Sequence, residues 1–597
     1  MKDFKDNTRE RSDKEVLRRL IVYMKPYKKE FSLVVFLMLF GLAIQMLPPL
    51  IIGFIVDIVG SDVLSRDDKI LYIIIIAVTF LVALAFGNLV MYIQSMILQK
   101  IGQKTVVTLR NDVFTHIENL SIGQINSVPV GKLVTRVMND TNTISEMYTS
   151  VAVNLIRNLL YLVAILIALF IINVKITLFV LMVVPFVILA SVFFRKYSRA
   201  SYRRVRANVS EVNAFLSENL SGMKVTQIFN QEEKKKAEFK KHSKKLRNSY
   251  LQEILVFGIY RPIVYALSMV GILLTLYIGY QEVISLAFSA GLLFTYYFYV
   301  GDFFEPIQQL AEQLNTLQNA FASAEKVFDV LDTKPDIVDR EDAIELETFT
   351  GSIEFKDVWF SYLPDEWVLK GVSFKVNPGD TVAFVGATGS GKTTILALIV
   401  RNYDIQKGQI LIDGIDIQKI KRSSLRKHIG QMLQDVFLFS GSITDNITLR
   451  DDSMTFEHVE ASSKYVGANT FIDKLPDGYN HLVKERGNNF SSGQRQLISF
   501  ARALVYKPSL MILDEATANI DSETEELIQE SLEKMMSIST MLIVAHRLST
   551  IQHSDKIIVM QAGEIKEEGS HQELLTQKGL YYNLYKLQYD EKESLAT

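Results

Sequence analysis

The sequence has no cysteine. This excludes disulfides, a cysteine-ligated zinc or iron–sulfur site, and thiol catalysis, and it leaves the redox compartment open. It also lacks a dominant charge. The 64 Lys and Arg residues almost cancel the 66 Asp and Glu, for a formal net charge of −2, so the basic footprint of a nucleic-acid binder is missing and no nucleic-acid partner is expected. The charged opening, Met1 to Lys14, has no short apolar stretch ending at a small-residue cleavage site, so a signal peptide is not expected.

A chain of 597 residues is too long for one core and implies at least two domains. An apolar share of 49% beside 22% charged residues, with mean hydropathy +0.17, implies uneven distribution, and the apolar residues concentrate in the N-terminal half. Apolar runs with at most one or two charges there predict six membrane-spanning helices of about 20 residues, at about 31–56, 70–98, 151–173, 176–194, 254–280 and 283–300. Pro48 and Pro49 should kink the first. Lys and Arg concentrate in the tail and in segments 99–150 and 195–250, which places both termini on the cytoplasmic side. The run from Lys234 to Arg247 reads as a solvated helix face. Apolar residues at helical spacing, such as Leu109, Val113 and Ile117, carry the helices on beyond the bilayer. Arg157 and Arg261 are the clearest charges inside spans. Each is a candidate for substrate contact or for snorkelling near a helix end. Tyr260, Tyr265, Met269, Phe294, Tyr296, Tyr297 and Tyr299 suit a promiscuous apolar cavity or simple packing.

Residues 1–324 are thus expected to form an all-α transmembrane domain, 325–350 an acidic linker, 351–585 an α/β ATPase domain and 586–597 a tail. The second half is organised around Gly386-Ala387-Thr388-Gly389-Ser390-Gly391-Lys392-Thr393, a full match to the G-x-x-x-x-G-K-[ST] phosphate cradle. An apolar β-branched run precedes it and a helix-compatible run beginning at Thr394 follows it. Backbone N–H groups and the helix terminus can hold a polyphosphate, Lys392 can reach the β- and γ-phosphates of ATP, and the Thr393 hydroxyl can ligate Mg²⁺. Leu510-Met-Ile-Leu-Asp514 has the Walker B form, a strand ending in a carboxylate for the Mg²⁺ shell. Glu515 follows as a candidate general base. His546 ends a further apolar run and is a candidate γ-phosphate sensor.

Together these features resemble an ABC exporter half-transporter over nearly the whole chain: six membrane helices followed by a P-loop ATPase domain with an α-helical subdomain. The resemblance implies that Tyr362 stacks on adenine, that Gln434 reaches Mg²⁺ and the attacking water, that Glu485-Arg-Gly487 is the X-loop and that Asp521 is the D-loop aspartate. It also implies that segments 126–140 and 218–230 flank two cytoplasmic coupling helices. The family signature Leu-Ser-Gly-Gly-Gln is matched by Phe490-Ser491-Ser492-Gly493-Gln494, with serine in place of the first glycine. A side chain at 492 should restrict the backbone and close approach to a γ-phosphate, so the site completed by this signature should hydrolyse poorly, while Lys392, Asp514, Glu515, Gln434 and His546 are all in place.

That asymmetry implies one subunit of a heterodimer whose second half-transporter supplies a good signature; a homodimer that tolerates Ser492 is the other reading. The expected cargo is an amphipathic small molecule, with a lipid or peptide as alternatives. A membrane-bound regulatory ATPase is the alternative of another class.

Overall fold

The computed structural model describes residues 11–587 apart from 286–287, 515–521 and 545–550, and it leaves out the side chains of 308, 311–312, 314–315 and 522–525. The chain forms two compact units. One comprises residues up to 118 together with 128–333; the other comprises 119–127 together with 334 onward.

The first unit is helical. Among the described residues, five stretches, Asp13–Gly60, Arg66–Asn119, Val130–Ile172, Val174–Ser221 and Glu232–Ile284, are long and apolar enough to cross a membrane. A sixth long helix, Ala290–Asp332, follows. The first stretch breaks at Met46, with Pro48 in the opening turn of Leu47–Gly60. The fourth also breaks, at Met182 and Val183 ahead of Pro185, because proline has no N–H to continue the helical bonding. The Arg66–Asn119 helix has 54 residues, or about 80 Å at 1.5 Å per residue, so it extends well beyond a bilayer core.

Two boundaries differ from expectation. Val283 and Ile284 end the fifth helix, and the sixth begins only at Ala290, where the Ser289 hydroxyl accepts from Leu292 N. Residues 325–332, expected to start the linker, instead continue this sixth helix to Asp332. Val327, Phe328 and Val330 are buried with Val16, Leu20 and Leu109. The acids that looked like linker chemistry face cations: Arg11 pairs with Asp329 at 2.9 Å, and Arg19 donates to Asp332 at 2.9 Å. First and sixth helices meet at Gly53 and Gly291, where a Cβ on Gly291 would lie 2.0 Å from the Gly53 carbonyl oxygen. Such close backbone approach holds helices together where no hydrophobic drive separates protein from lipid.

The second unit carries a six-stranded sheet in the order Glu564–Gly569, Lys556–Gln561, Thr381–Val385, Thr540–Val544, Leu510–Asp514, Ile429–Met432. All neighbours are parallel except the first pair. Strands such as Thr381–Val385 are buried at every residue, as a parallel sheet covered on both faces requires. A four-stranded antiparallel sheet covers one face through Leu369, Phe374 and Phe384. Helices including Phe456–Tyr465 and Ser492–Val505 form the helical subdomain around Leu497, Ile498 and Phe500.

Candidate functional site

The phosphate cradle lies between the strand Thr381–Val385 and the helix Lys392–Ile399. Gly391 caps that helix at φ +104°, and a Cβ there would meet Leu369 at 2.7 Å; both the left-handed backbone and the lack of space demand glycine. The Lys392 ammonium donates to the carbonyls of Gly386 (2.8 Å) and Ala387 (3.0 Å) across the loop's own mouth. The Ser390 hydroxyl is buried without a hydrogen-bond partner. A buried orphan hydroxyl is costly, and here it sits beside Gly389 in a loop whose amides are suited to an anion.

Sheet register gathers the remaining candidates. Val544 pairs with both Phe384 and Asp514, and Leu513 pairs with Met432. The carboxyl ends of four adjacent strands therefore lie together, the position at which open α/β sheets bind ligands. Asp514 ends one of these strands, and its carboxylate accepts from the Thr393 hydroxyl at 3.3 Å. Gln434 follows Met432 by two residues and is exposed. Glu515 and Asp521 lie outside the described residues. So does His546, two residues beyond the strand Thr540–Val544. Thr393, Asp514 and Gln434 supply oxygen donors of the kind Mg²⁺ takes.

Tyr362 is 43% exposed, and its hydroxyl lies 3.1 Å from the Thr394 hydroxyl. Its ring stands edge-on to Tyr403 at 5.1 Å, and Phe360 contacts both rings. Tyr403 was not anticipated from the sequence. It packs beneath the short helix Ile122–Asn126, which belongs to this unit although it is encoded within the membrane half: a Cβ on Gly123 would meet the Tyr403 ring at 2.6 Å. The next residue, Gln124, donates to Lys334 O at 2.9 Å and accepts from Asp336 N at 3.3 Å. No sequence pattern joins Gly123 to Tyr403, which are 280 positions apart; only the fold does.

The signature segment opens the helix Ser492–Val505. Ser491 is its N-cap, in a reciprocal capping box with Gln494: Gln494 N donates to the Ser491 hydroxyl (3.2 Å) and Ser491 N to the Gln494 amide oxygen (3.0 Å). Gly493 is buried within the first turn. Ser492 occupies the first helical position and is absent from the positive-φ residues. The expectation that its side chain restricts the backbone is therefore corrected: a helical N1 position accepts any side chain, and only the argument about close approach is left.

This architecture, helical spans followed by a P-loop sheet with a helical subdomain, defines a membrane-anchored ATPase. Family comparison makes the class specific. Residues 31–307 match the ABC transporter transmembrane region and 369–518 match the ABC transporter family. The Probable multidrug resistance ABC transporter ATP-binding/permease protein YheH of Bacillus subtilis (strain 168) is 38% identical over 86% of this chain and 76% of its own length. An ATP-dependent lipid A-core flippase of Syntrophus aciditrophicus (strain SB) is 32% identical over 97% and 95%. A solved bacterial Atm1-family ABC exporter with ATP bound superposes with TM-score 0.77 at 27% identity, covering 96% and 99% of the two chains. The chain belongs to the ABC transporter family: it is a multi-pass membrane protein of the exporter type that binds and hydrolyses ATP.

Proposed function

We propose that this chain is the hydrolysis-competent half of a heterodimeric exporter of amphipathic small molecules, with both termini on the ATP side. One observation carries this reading: serine opens the signature helix where the family has glycine, while the chain's own nucleotide-handling set is complete. Lys392 exchanges its loop carbonyls for the β- and γ-phosphates. The amides of Gly386 to Thr393, with the Ser390 hydroxyl, replace the hydration of the phosphate oxygens. Tyr362 stacks on adenine. Thr393, Asp514 and Gln434 would hold Mg²⁺, which would supply positive charge to neutralise the charge that develops on the phosphates. Glu515 accepts the proton of the attacking water, His546 and Asp521 contact the γ-phosphate side, and Gln434 transmits turnover toward the coupling helices. Ser491, Ser492, Gly493 and Gln494 face the partner's nucleotide. Ser492 adds a side chain at a surface that elsewhere in the family approaches a phosphate with bare backbone.

The test is to purify the chain alone and co-expressed with a second half-transporter from the same genome. Robust ATPase activity and ATP-driven dimerisation of the isolated chain would refute the heterodimer; weak activity restored by the partner is expected. The relative named as a lipid A-core flippase supports a second reading, lipid export, which a lipid-translocation assay on the same preparation separates from drug efflux.

A further inference from the structure

Within the membrane unit lies a cavity of about 380 Å³ between the first, second, third and sixth helices. Its polar lining comprises Gln45 and Asn88 from the first two helices and Arg157, Asn158, Tyr161, Glu305 and Gln309 from the third and sixth. Its walls are completed by apolar side chains that include Ile44, Leu84 and Met91. An ionisable group within a membrane-spanning segment is a functional candidate by default.

The polar groups are ordered. Asn158 donates its amide to the Gln309 oxygen at 3.0 Å, Gln309 donates in turn to the Glu305 carboxylate at 3.0 Å, and the Tyr161 hydroxyl donates to Asp302 at 3.0 Å. Asp302, although not lining the cavity, thus has a donor of its own. Pro306, which also lines the cavity, lies inside the sixth helix; it deprives the Asp302 carbonyl of its helical N–H and is a kink point for that wall. Arg157 and Glu305 are the two formal charges on the cavity surface. They carry opposite sign in one small space, and among the described residues neither forms an ion pair with the other or with any third group. Glu305 is exposed and Arg157 half-buried, so neither charge is sealed in the protein interior, where mutual pairing would be needed to offset desolvation. Their separation leaves one cationic and one anionic anchor, with neutral amides between and an apolar wall beside them.

We propose that this cavity binds the head of a zwitterionic amphipath, with its anionic group on Arg157, its ammonium group on Glu305 and its tail along the Ile44, Leu84 and Met91 wall. The proposal rests on the export reading, since it names the class of cargo. A purely cationic head would meet Arg157 uncompensated and a purely anionic head would meet Glu305, so both are selected against. Of the two arginines singled out in the sequence, only Arg157 lines this cavity, and none of the late-span aromatics and Met269 does. Tyr260, Tyr296 and Tyr299 are buried in the helix core, with hydroxyls bonded to Ser191, Thr177 and Met46 O.

The test is equilibrium competition without ATP, using the full-length chain in nanodiscs of phosphatidylglycerol so that the bilayer offers no zwitterionic head. Dodecylphosphocholine, dodecyltrimethylammonium and dodecyl sulfate, each below its micellar concentration, compete with a fluorescent dodecylphosphocholine probe. Wild type should prefer the phosphocholine head by about tenfold or more, a difference of roughly 1.4 kcal/mol. Arg157→Gln should make trimethylammonium the best ligand, Glu305→Gln should make sulfate the best, and Arg157→Lys should keep the wild-type order. Equal binding of the three heads to wild type, or an unchanged order in both neutralised variants, would overturn the proposal; a merely structural Arg157 would weaken all three together. A short-chain diacyl phosphocholine that competes as well as the dodecyl compound indicates a bilayer lipid as the natural source, and failure of that competitor alone indicates a single-chain amphipath; both outcomes uphold the site. Because binding needs no ATP, head selectivity without ATP-driven transport would refute export and leave the site standing, whereas transport without head selectivity would do the reverse.

Discussion

Gly123→Ala is a small change with a large expected effect. Gly123 lies inside the helix Ile122–Asn126, where alanine by itself would stabilise by roughly 0.5–1 kcal/mol through propensity. The added methyl would, however, meet the Tyr403 ring at 2.6 Å, with a second ring atom at 3.3 Å. That ring has little freedom, because Tyr362 stands edge-on to it at 5.1 Å and Phe360 lies at 5.6 Å. Overpacking of this kind costs about 1–3 kcal/mol, so the clash outweighs the propensity gain by up to about 2 kcal/mol. The displaced ring bears on Tyr362, the proposed adenine platform, so the loss should appear as weaker ATP binding. The expectation is a rise in KM for ATP of about tenfold, and at most about thirtyfold, given a factor of ten per 1.36 kcal/mol, together with a lower ratio of transport to hydrolysis in proteoliposomes. Tyr403→Ala placed in the Gly123→Ala background removes the clash and should recover most of the ratio, a coupling that a double-mutant cycle resolves. If Gly123→Ala matches wild type in both KM and ratio, or if Tyr403→Ala fails to rescue it, the contact does not connect this helix to the nucleotide site.

Glu515→Gln should lower steady-state hydrolysis in the assembled transporter by at least about 100-fold, within the range of a lost general base, whereas Ser492→Gly should change it less than tenfold; a coupled-enzyme ATPase assay checks both, and the reverse ranking would reject the site assignment. Arg401 is 2% exposed and relies on Asp339 at 3.3 Å and Asp404 at 3.1 Å; Asp339 also accepts from Arg422 at 3.2 Å. Asp339→Asn should destabilise by about 1–3 kcal/mol, less than a complete loss of pairing because Asp404 is retained, and calorimetry should show the ATPase-domain Tm fall by roughly 3–10 °C. Burial lowers the pKa of His571, whose Nδ1 lies 2.6 Å from the Tyr581 hydroxyl. The unfolded chain therefore takes up this proton first as pH falls through about 6.5, so stability drops from there downward; His571→Gln should flatten this acid limb in urea titrations between neutrality and pH 5.

The nucleotide half was legible because its chemistry is local. Gly386 to Thr393 and Leu510 to Asp514 each declare a strand, a loop and a function within a few residues, and the sheet assembled them at one edge as such motifs require. Ser492 was read correctly as a departure but for a reason that partly failed, since spacing does not reveal that position 492 has ordinary helical geometry. The spans were legible from apolar length with few charges, but their ends were not. The acids of 325–332 looked like linker until the sixth helix placed Asp329 and Asp332 against Arg11 and Arg19, partners some three hundred residues away. The Tyr403 contact and the cavity around Arg157 and Glu305 were invisible for the same reason: each is made by residues from distant parts of the chain that only tertiary packing brings together.

The most direct test of ATP-driven export through this chain is accumulation of a fluorescent amphipathic dye in inside-out vesicles carrying the assembled transporter. ATP-dependent accumulation by wild type, lost in both Lys392→Ala and Glu515→Gln, is the predicted result. Hydrolysis that depends on Glu515 but moves neither dye nor lipid would contradict export and assign the chain to a regulatory ATPase instead.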